Sequence, residues 1–154
     1  MATYQFYREQ IIPATRSDVW NFISSPENLK KITPPEMGFN ITTSHLASKM
    51  YAGMIISYKV KLLPGFSTNW VTEITQVRDQ EYFIDEQRVG PYSIWHHQHL
   101  LKDQEKGVIM CDLITYVPPL GFLGAIANRF MIKDKLNDIF TFREKAVLDV
   151  FGAP

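Results

Sequence analysis

Between Phe39 and Val117 the chain offers one strand-like run after another. Behind Pro118 and Pro119 the apolar period changes to 3.6 and stays there to about Phe151. The candidate strands are 39–44, 54–63, 68–77, 82–88, 92–102 and 108–117, separated by turn residues such as Pro64-Gly65, Arg78-Asp79, Gly90-Pro91 and Glu105-Lys106-Gly107. Connections this short join antiparallel neighbours, because a parallel pair needs a crossover of a dozen residues or more. Residues 4–12 alternate well enough for a further, first strand, with Tyr4, Phe6, Arg8 and Gln10 on one side and Gln5, Tyr7, Glu9 and Ile11 on the other, and Pro13 closes it. A sheet of seven antiparallel strands must cover its apolar face, and the C-terminal helix is the only element long enough to do so. The expected architecture is α+β: a curved sheet gripping one long helix, in a single domain spanning 1–154. A helix is narrower than such a sheet, so the arrangement leaves room for a cavity between them.

Two short helices are expected after the first strand. Thr15, with Asp18 three residues on, resembles a capping box, and Val19, Phe22 and Ile23 form an apolar stripe behind it. Ser25 then stands as N-cap of a second helix with Pro26 at its first position, where the missing N–H costs nothing. That helix ends before Thr33-Pro34-Pro35.

Charge and motifs narrow the function classes. Sixteen Lys and Arg balance 16 Asp and Glu across 154 residues, and no basic block exists to release counterions from a polyanion, so nucleic acid is not an expected partner. The lone Cys111 fits neither a disulfide nor a zinc-ligand spacing, which reads as a reduced, cytoplasmic protein. The polar residues from Thr3 to Gln10 are wrong for a signal peptide, and no apolar run reaches bilayer length, so stable membrane insertion is not expected. No Gly-x-Gly-x-x-Gly, phosphate-binding loop or Gly-x-Ser-x-Gly occurs, and no cofactor is assigned. What stands out is the supply of rings: 10 Phe, 7 Tyr and 3 Trp.

On the long helix, Phe122, Ile132, Leu136, Ile139, Phe140, Val147 and Val150 share one face. Arg129 and Arg143, seven residues either side of Leu136, lie inside that stripe. A guanidinium cannot shed its charge, so each needs a carboxylate, a ligand or a route to water past the helix ends. The sharper reading pairs Arg143 with an inward carboxylate or a carbonyl-rich ligand.

The densest polar cluster is Trp95-His96-His97-Gln98-His99. Burying the large indole gains more than burying Ile94, which turns Trp95, His97, His99 and Leu101 inward, with the histidines about 7 Å apart. By the same alternation Phe83, Asp85 and Gln87 share a face, as do Met110, Asp112, Ile114 and Tyr116, and Trp70, Thr72 and Ile74. The resulting polar set is Asp85, Gln87, His97, His99, Asp112, Tyr116 and Arg143. It reads in three ways: as buried groups satisfying one another, as the polar end of a small-molecule pocket, or as a His-x-His chelate completed by Asp85 or Asp112. For want of a Glu-x-x-His pair or a cysteine set, no metal is assigned.

These features resemble the START-like, birch-pollen-allergen-like superfamily of helix-grip domains, which also holds polyketide cyclases. The run Phe83-Ile84-Asp85-Glu86-Gln87-Arg88-Val89-Gly90-Pro91-Tyr92, followed by Trp95-x-His97-x-His99, is similar to its bacterial ligand-binding SRPBCC branch, some members of which carry a cell-division-inhibitor label. Pro26-Glu27-Asn28-Leu29, Thr33-Pro34-Pro35, Gly53, Tyr58, Trp70, Thr72, Asp112, Tyr116, Pro119, Gly121 and Arg143 extend the resemblance over nearly the whole chain. His96 departs from it by making a third histidine. The resemblance implies a seven-stranded sheet around a C-terminal helix with a ligand cavity, in a superfamily whose members bind lipids, sterols, quinones or polyketides and in some cases catalyse cyclisation or dehydration. It names no ligand, and nothing in these residues has a physical route to cell division.

The leading expectation is a binding protein for a hydrophobic or aromatic small molecule, lipid-, quinone- or polyketide-like. Its site would comprise Tyr58, Trp70, Thr72, Phe83, Asp85, Gln87, Trp95, His97, His99, Asp112, Tyr116, Leu136 and Arg143, with Pro34-Pro35 and Gly53 in loops at the mouth. The alternative is a cyclase, dehydratase or hydrolase in which His97 or His99, paired with Asp85 or Asp112, acts as general base. An interaction module, docking a partner through Tyr4 and Phe6 or through the short helices, is a third reading, and a homodimer is left open.

Overall fold

The computed structural model describes residues 2–63, 66–119 and 131–154. The Pro64-Gly65 turn, Gly121, Phe122, Arg129 and the expected first turns of the long helix lie outside the described residues. The elements are β1 (Tyr4–Ile12), α1 (Arg16–Ile23), two short 3-10 helices (Pro26–Lys30 and Pro35–Met37), β2 (Asn40–Ile41), β3 (Met54–Leu63), β4 (Phe66–Arg78), β5 (Tyr82–Val89), β6 (Ile94–Gln104), β7 (Gly107–Val117) and α2 (Lys133–Phe151). The strands form one antiparallel sheet in the order β1-β7-β6-β5-β4-β3-β2. The first strand thus lies beside the last, and the remainder is a meander. Register shifts at Val71/Thr72 and Ile74/Gln76 interrupt the β4–β5 ladder, and such irregularities bend and twist a sheet.

Local chemistry sets most boundaries. Thr15 Oγ1 accepts the Asp18 backbone N–H and caps α1 as its spacing predicts. Ser25 occupies the expected N-cap position before Pro26 but makes no side-chain cap bond. Pro34-Pro35, expected only in a loop, opens a third short helix. β2 keeps only two of the six residues expected for it. At the β6–β7 turn Gly107 has a φ of +127°, and a Cβ there would stand 2.1 Å from the Ile12 carbonyl oxygen, so only glycine lets the turn sit against the end of β1.

The helix stripe packs as its period implies. Leu136, Phe140 and Val147 are buried against the sheet, and Phe6 of β1 meets Phe140 with ring centroids 4.8 Å apart. Burial of a side chain such as Phe140 stabilises by about 1.5–3 kcal/mol. Phe6 therefore belongs to the core, and Tyr4 packs on Tyr116 with ring centroids 5.8 Å apart, which removes the main support for a surface built on those two rings. Val150 departs from the stripe: in the last turn of α2 it is exposed. A polar seam ties α2 to β1, where Arg8 Nη2 donates to Asn137 Oδ1 at 3.3 Å and Gln10 Nε2 donates to the Glu144 carbonyl at 2.9 Å. No helix among the described residues is long and apolar enough to cross a membrane.

Candidate ligand cavity

Between α2 and the concave face of the sheet lies a cavity of about 500 Å³. Its aromatic wall is continuous. Trp70 stacks on Tyr58 at a centroid distance of 6.1 Å and meets Trp95 edge-on at 5.3 Å, and Tyr92 closes against Trp95 at 4.8 Å. From the helix, Leu136, Ile139 and Phe140 complete the apolar surface, and Lys135 and Arg143 reach the same space.

One polar network interrupts these walls. β5 and β6 pair Asp85 directly with His97 and Phe83 with His99, while β6 and β7 pair His99 with Asp112. Alternation aims all of these side chains at the concave side. Asp112 Oδ1 lies 2.8 Å from His97 Nε2, 3.1 Å from His99 Nδ1 and 3.0 Å from Arg143 Nη1. Asp85 Oδ2 lies 2.7 Å from His99 Nε2 and 3.5 Å from His97 Nδ1. The two imidazoles lean together, with centroids 3.7 Å apart instead of the expected 7 Å, because they share both carboxylates. His99 also stacks on Phe83 at 4.1 Å, and the Arg143 guanidinium sits 4.6 Å from the centre of the Phe140 ring.

Burial and pairing divide the charges. Burial, and then the neighbouring His99, push His97 down to about 4, so its ring is neutral at pH 7. Burial opposes charge on His99 too, but hydrogen bonds to Asp112 and Asp85 outweigh it and raise that ring above the usual histidine range. Asp112 is likewise opposed by burial, yet Arg143 and the two imidazoles hold it well below the usual carboxylate range. Asp85 is lowered against its own burial by His97, His99 and Arg143. Burial also raises Tyr58, whose hydroxyl pairs with Thr72 Oγ1 at 3.1 Å.

No family model matches the chain, and no curated protein matches it by sequence. Solved structures do match in shape. CV1439 from Chromobacterium violaceum superposes with a TM-score of 0.71 at 12% identity, over 97% of this chain and 99% of that one. Ara h 8.0201 gives 0.61 at 13% identity, over 96% and 99%. A Thalictrum norcoclaurine synthase point mutant in complex with a transition-state analogue gives 0.65 at 15% identity, over 97% and 96%. The chain has the START-like helix-grip fold. At these identities the likeness is one of fold.

Within this helix-grip frame, ten of the thirteen residues expected at the site line the cavity: Tyr58, Trp70, Thr72, Phe83, Asp85, Trp95, His97, His99, Leu136 and Arg143. The other three do not. Gln87 turns back on its own strand end, where its Nε2 donates to the Tyr92 carbonyl at 2.7 Å and its Oε1 accepts the Tyr92 N–H at 3.1 Å. Gly90 leaves room for this brace, since a Cβ there would lie 2.3 Å from Gln87 Oε1. Asp112 sits behind the histidines, and Tyr116 packs behind Trp95 and Tyr92, at centroid distances of 6.3 and 5.9 Å. Pro34, Pro35 and Gly53 are not among the cavity residues; Thr33, Met37 and Phe39 reach it from that region instead. Sequence reasoning missed Tyr92 and Phe140 as wall residues. Phe140 was marked by the helix stripe, and Tyr92 stood in the Gly90-Pro91-Tyr92 turn. His96 points away from this network and pairs through Nδ1 with Glu86 Oε1 at 2.9 Å.

Proposed function

We propose that this helix-grip protein binds one small hydrophobic molecule, aromatic and bearing an oxygen function, between its sheet and α2. The carrying observation is an apolar cavity, with one wall of rings, that a few polar side chains enter: Thr72, Asp85, His97, His99, Lys135 and Arg143. An apolar pocket with a few convergent polar groups orients a small ligand by its oxygen. The cavity volume of about 500 Å³ is ordinary for small-molecule sites. The run of rings Tyr58, Trp70, Trp95 and Tyr92 along one wall favours a flat quinone- or polyketide-like partner over a saturated chain, because ring faces and edges add to simple area burial.

Each nitrogen of His97 and His99 already faces a carboxylate oxygen, at 2.7 to 3.5 Å. That arrangement leaves no imidazole nitrogen for a substrate proton, which favours binding over a histidine-based cyclase or dehydratase. Native mass spectrometry of freshly purified protein tests the reading. A retained small molecule, or saturable uptake of one equivalent from a library of aromatic ketones and quinones, is the expected result, and a protein that takes up none of them contradicts it.

A further inference from the structure

The two imidazoles divide their nitrogens between two carboxylates, Asp112 and Asp85. On the outer side His97 Nε2 and His99 Nδ1 converge on one oxygen of Asp112, at 2.8 and 3.1 Å, and Arg143 reaches that oxygen from α2 at 3.0 Å. On the inner side His97 Nδ1 and His99 Nε2 converge on one oxygen of Asp85, at 3.5 and 2.7 Å. Asp85, His97 and His99 line the cavity, whereas Asp112 stands behind them. A neutral imidazole carries one proton. When His97 donates it to Asp112, its Nδ1 is free to bind an ion beside Asp85 Oδ2, 3.5 Å away.

Metal chemistry accounts for this geometry. Ligand histidines ordinarily donate their second ring N–H to a carboxylate, which fixes tautomer and orientation, and here one Arg-anchored carboxylate serves both rings. One donor atom from each of Asp85, His97 and His99 lies within 4.8 Å of the others. Two donors about 2.1 Å from an ion and at right angles stand about 3 Å apart, and the inner separations of 2.7 and 3.5 Å bracket that value. Both histidines are more than nine-tenths buried, so the site is built into the sheet and does not lie on its surface.

We propose that Asp85, His97 and His99 form a site for one divalent first-row transition-metal ion, with Asp112 and Arg143 as its outer support and its open positions facing the cavity. Two imidazoles and one carboxylate suit such ions better than Mg²⁺ or Ca²⁺, which prefer all-oxygen shells. The ion with its two carboxylates and Arg143 carries one residual positive charge, which an anionic ligand oxygen offsets. That last step rests on the pocket reading above; the metal site itself does not.

The test uses the full chain, stripped with a chelator and titrated with Co²⁺ alone, read by equilibrium dialysis and by the visible absorption of the bound ion. Saturable uptake of one Co²⁺ per chain is expected, weakened at least tenfold in Asp85→Asn and unchanged in His96→Gln, with thermal melting confirming that both variants fold. Should Asp85→Asn not fold, the nitrogen resonances of His97 and His99 in the wild-type protein decide, shifting on Zn²⁺ addition while those of His45 and His96 stay put. Absence of stoichiometric uptake, uptake that survives Asp85→Asn undiminished, or uptake lost in His96→Gln overturns the proposal. Either failure leaves uptake of an aromatic molecule to be judged by its own experiment.

Discussion

Arg143 Nη1 donates to Asp112 Oδ1 across 3.0 Å, joining the last long helix to the strand that closes the sheet against β1. Both side chains are largely buried, so each is expensive to leave alone. Replacing Arg143 by Met strips Asp112 of its one permanent cation, and Asp112→Asn leaves the guanidinium uncompensated. Each single change is expected to cost about 3–5 kcal/mol. The double variant should cost clearly less than the sum, because the second change removes a charge already unpaired. Urea denaturation of all four proteins measures this, and strict additivity contradicts it.

Gln87 braces Tyr92 through both backbone groups, and Tyr92 is a wall of the cavity. Gly90→Ala places a methyl group 2.3 Å from Gln87 Oε1, so the brace must open. The expected cost is about 1–3 kcal/mol, the range for hydrogen-bonding groups left unsatisfied. Gln87→Ala should destabilise similarly, and Gly90→Ala should add little in a Gln87→Ala background. A Gly90→Ala variant as stable as the parent in chemical denaturation contradicts the brace.

The histidine pair gives stability an acid-side slope. His97 is lowered to about 4 in the fold from an unfolded value near 6.5, so its contribution is full above pH 6.5 and is lost as pH falls from there towards 4. His99 is raised, so its contribution is full below 6.5 and fades as pH rises through its folded value. The lowered Asp85 and Asp112 contribute above the ordinary carboxylate range and lose that contribution in stronger acid. Between pH 6.5 and 4 His97 therefore sets the slope. In protein kept metal-free with a chelator, His97→Gln is expected to flatten the fall in stability over that window. An unchanged slope in equilibrium unfolding at several pH values contradicts the assignment.

Much of this was legible before any coordinates. The ends of β1 and β3 fall where alternation places them, because Pro13 and the turn residues flanking β3 leave little freedom. The inward face of β6 followed from the size of Trp95, and once that face was set, Asp85, His97 and His99 had to meet. An inward Arg143 demanded a carboxylate, yet alternation offered Asp85 and Asp112 equally, and only the reach from α2 decides for Asp112. Gln87 misled for a reason alternation cannot see: its side chain is long enough to fold back onto its own turn. The same bonds explain why β6 begins at Ile94 and not at Tyr92, since Gln87 takes both backbone groups of Tyr92 away from the ladder. The closeness of the two imidazoles was equally hidden, because strand spacing fixes Cβ positions and says nothing of rings that tilt towards shared carboxylates.

The central claim is that the space between Trp70, Trp95 and Ile139 receives a small aromatic molecule. Ile139 lines the cavity from α2 and is only partly buried, so Ile139→Trp fills that space without displacing a fully packed side chain. The decisive measurement is a fluorescence titration of the wild-type protein and Ile139→Trp with a naphthalene-type probe. The account predicts saturable binding of one probe per wild-type chain and at least a tenfold loss of affinity in the variant, with the melting temperature within a few degrees. No saturable binding by the wild type, or equal binding by both proteins, would contradict it.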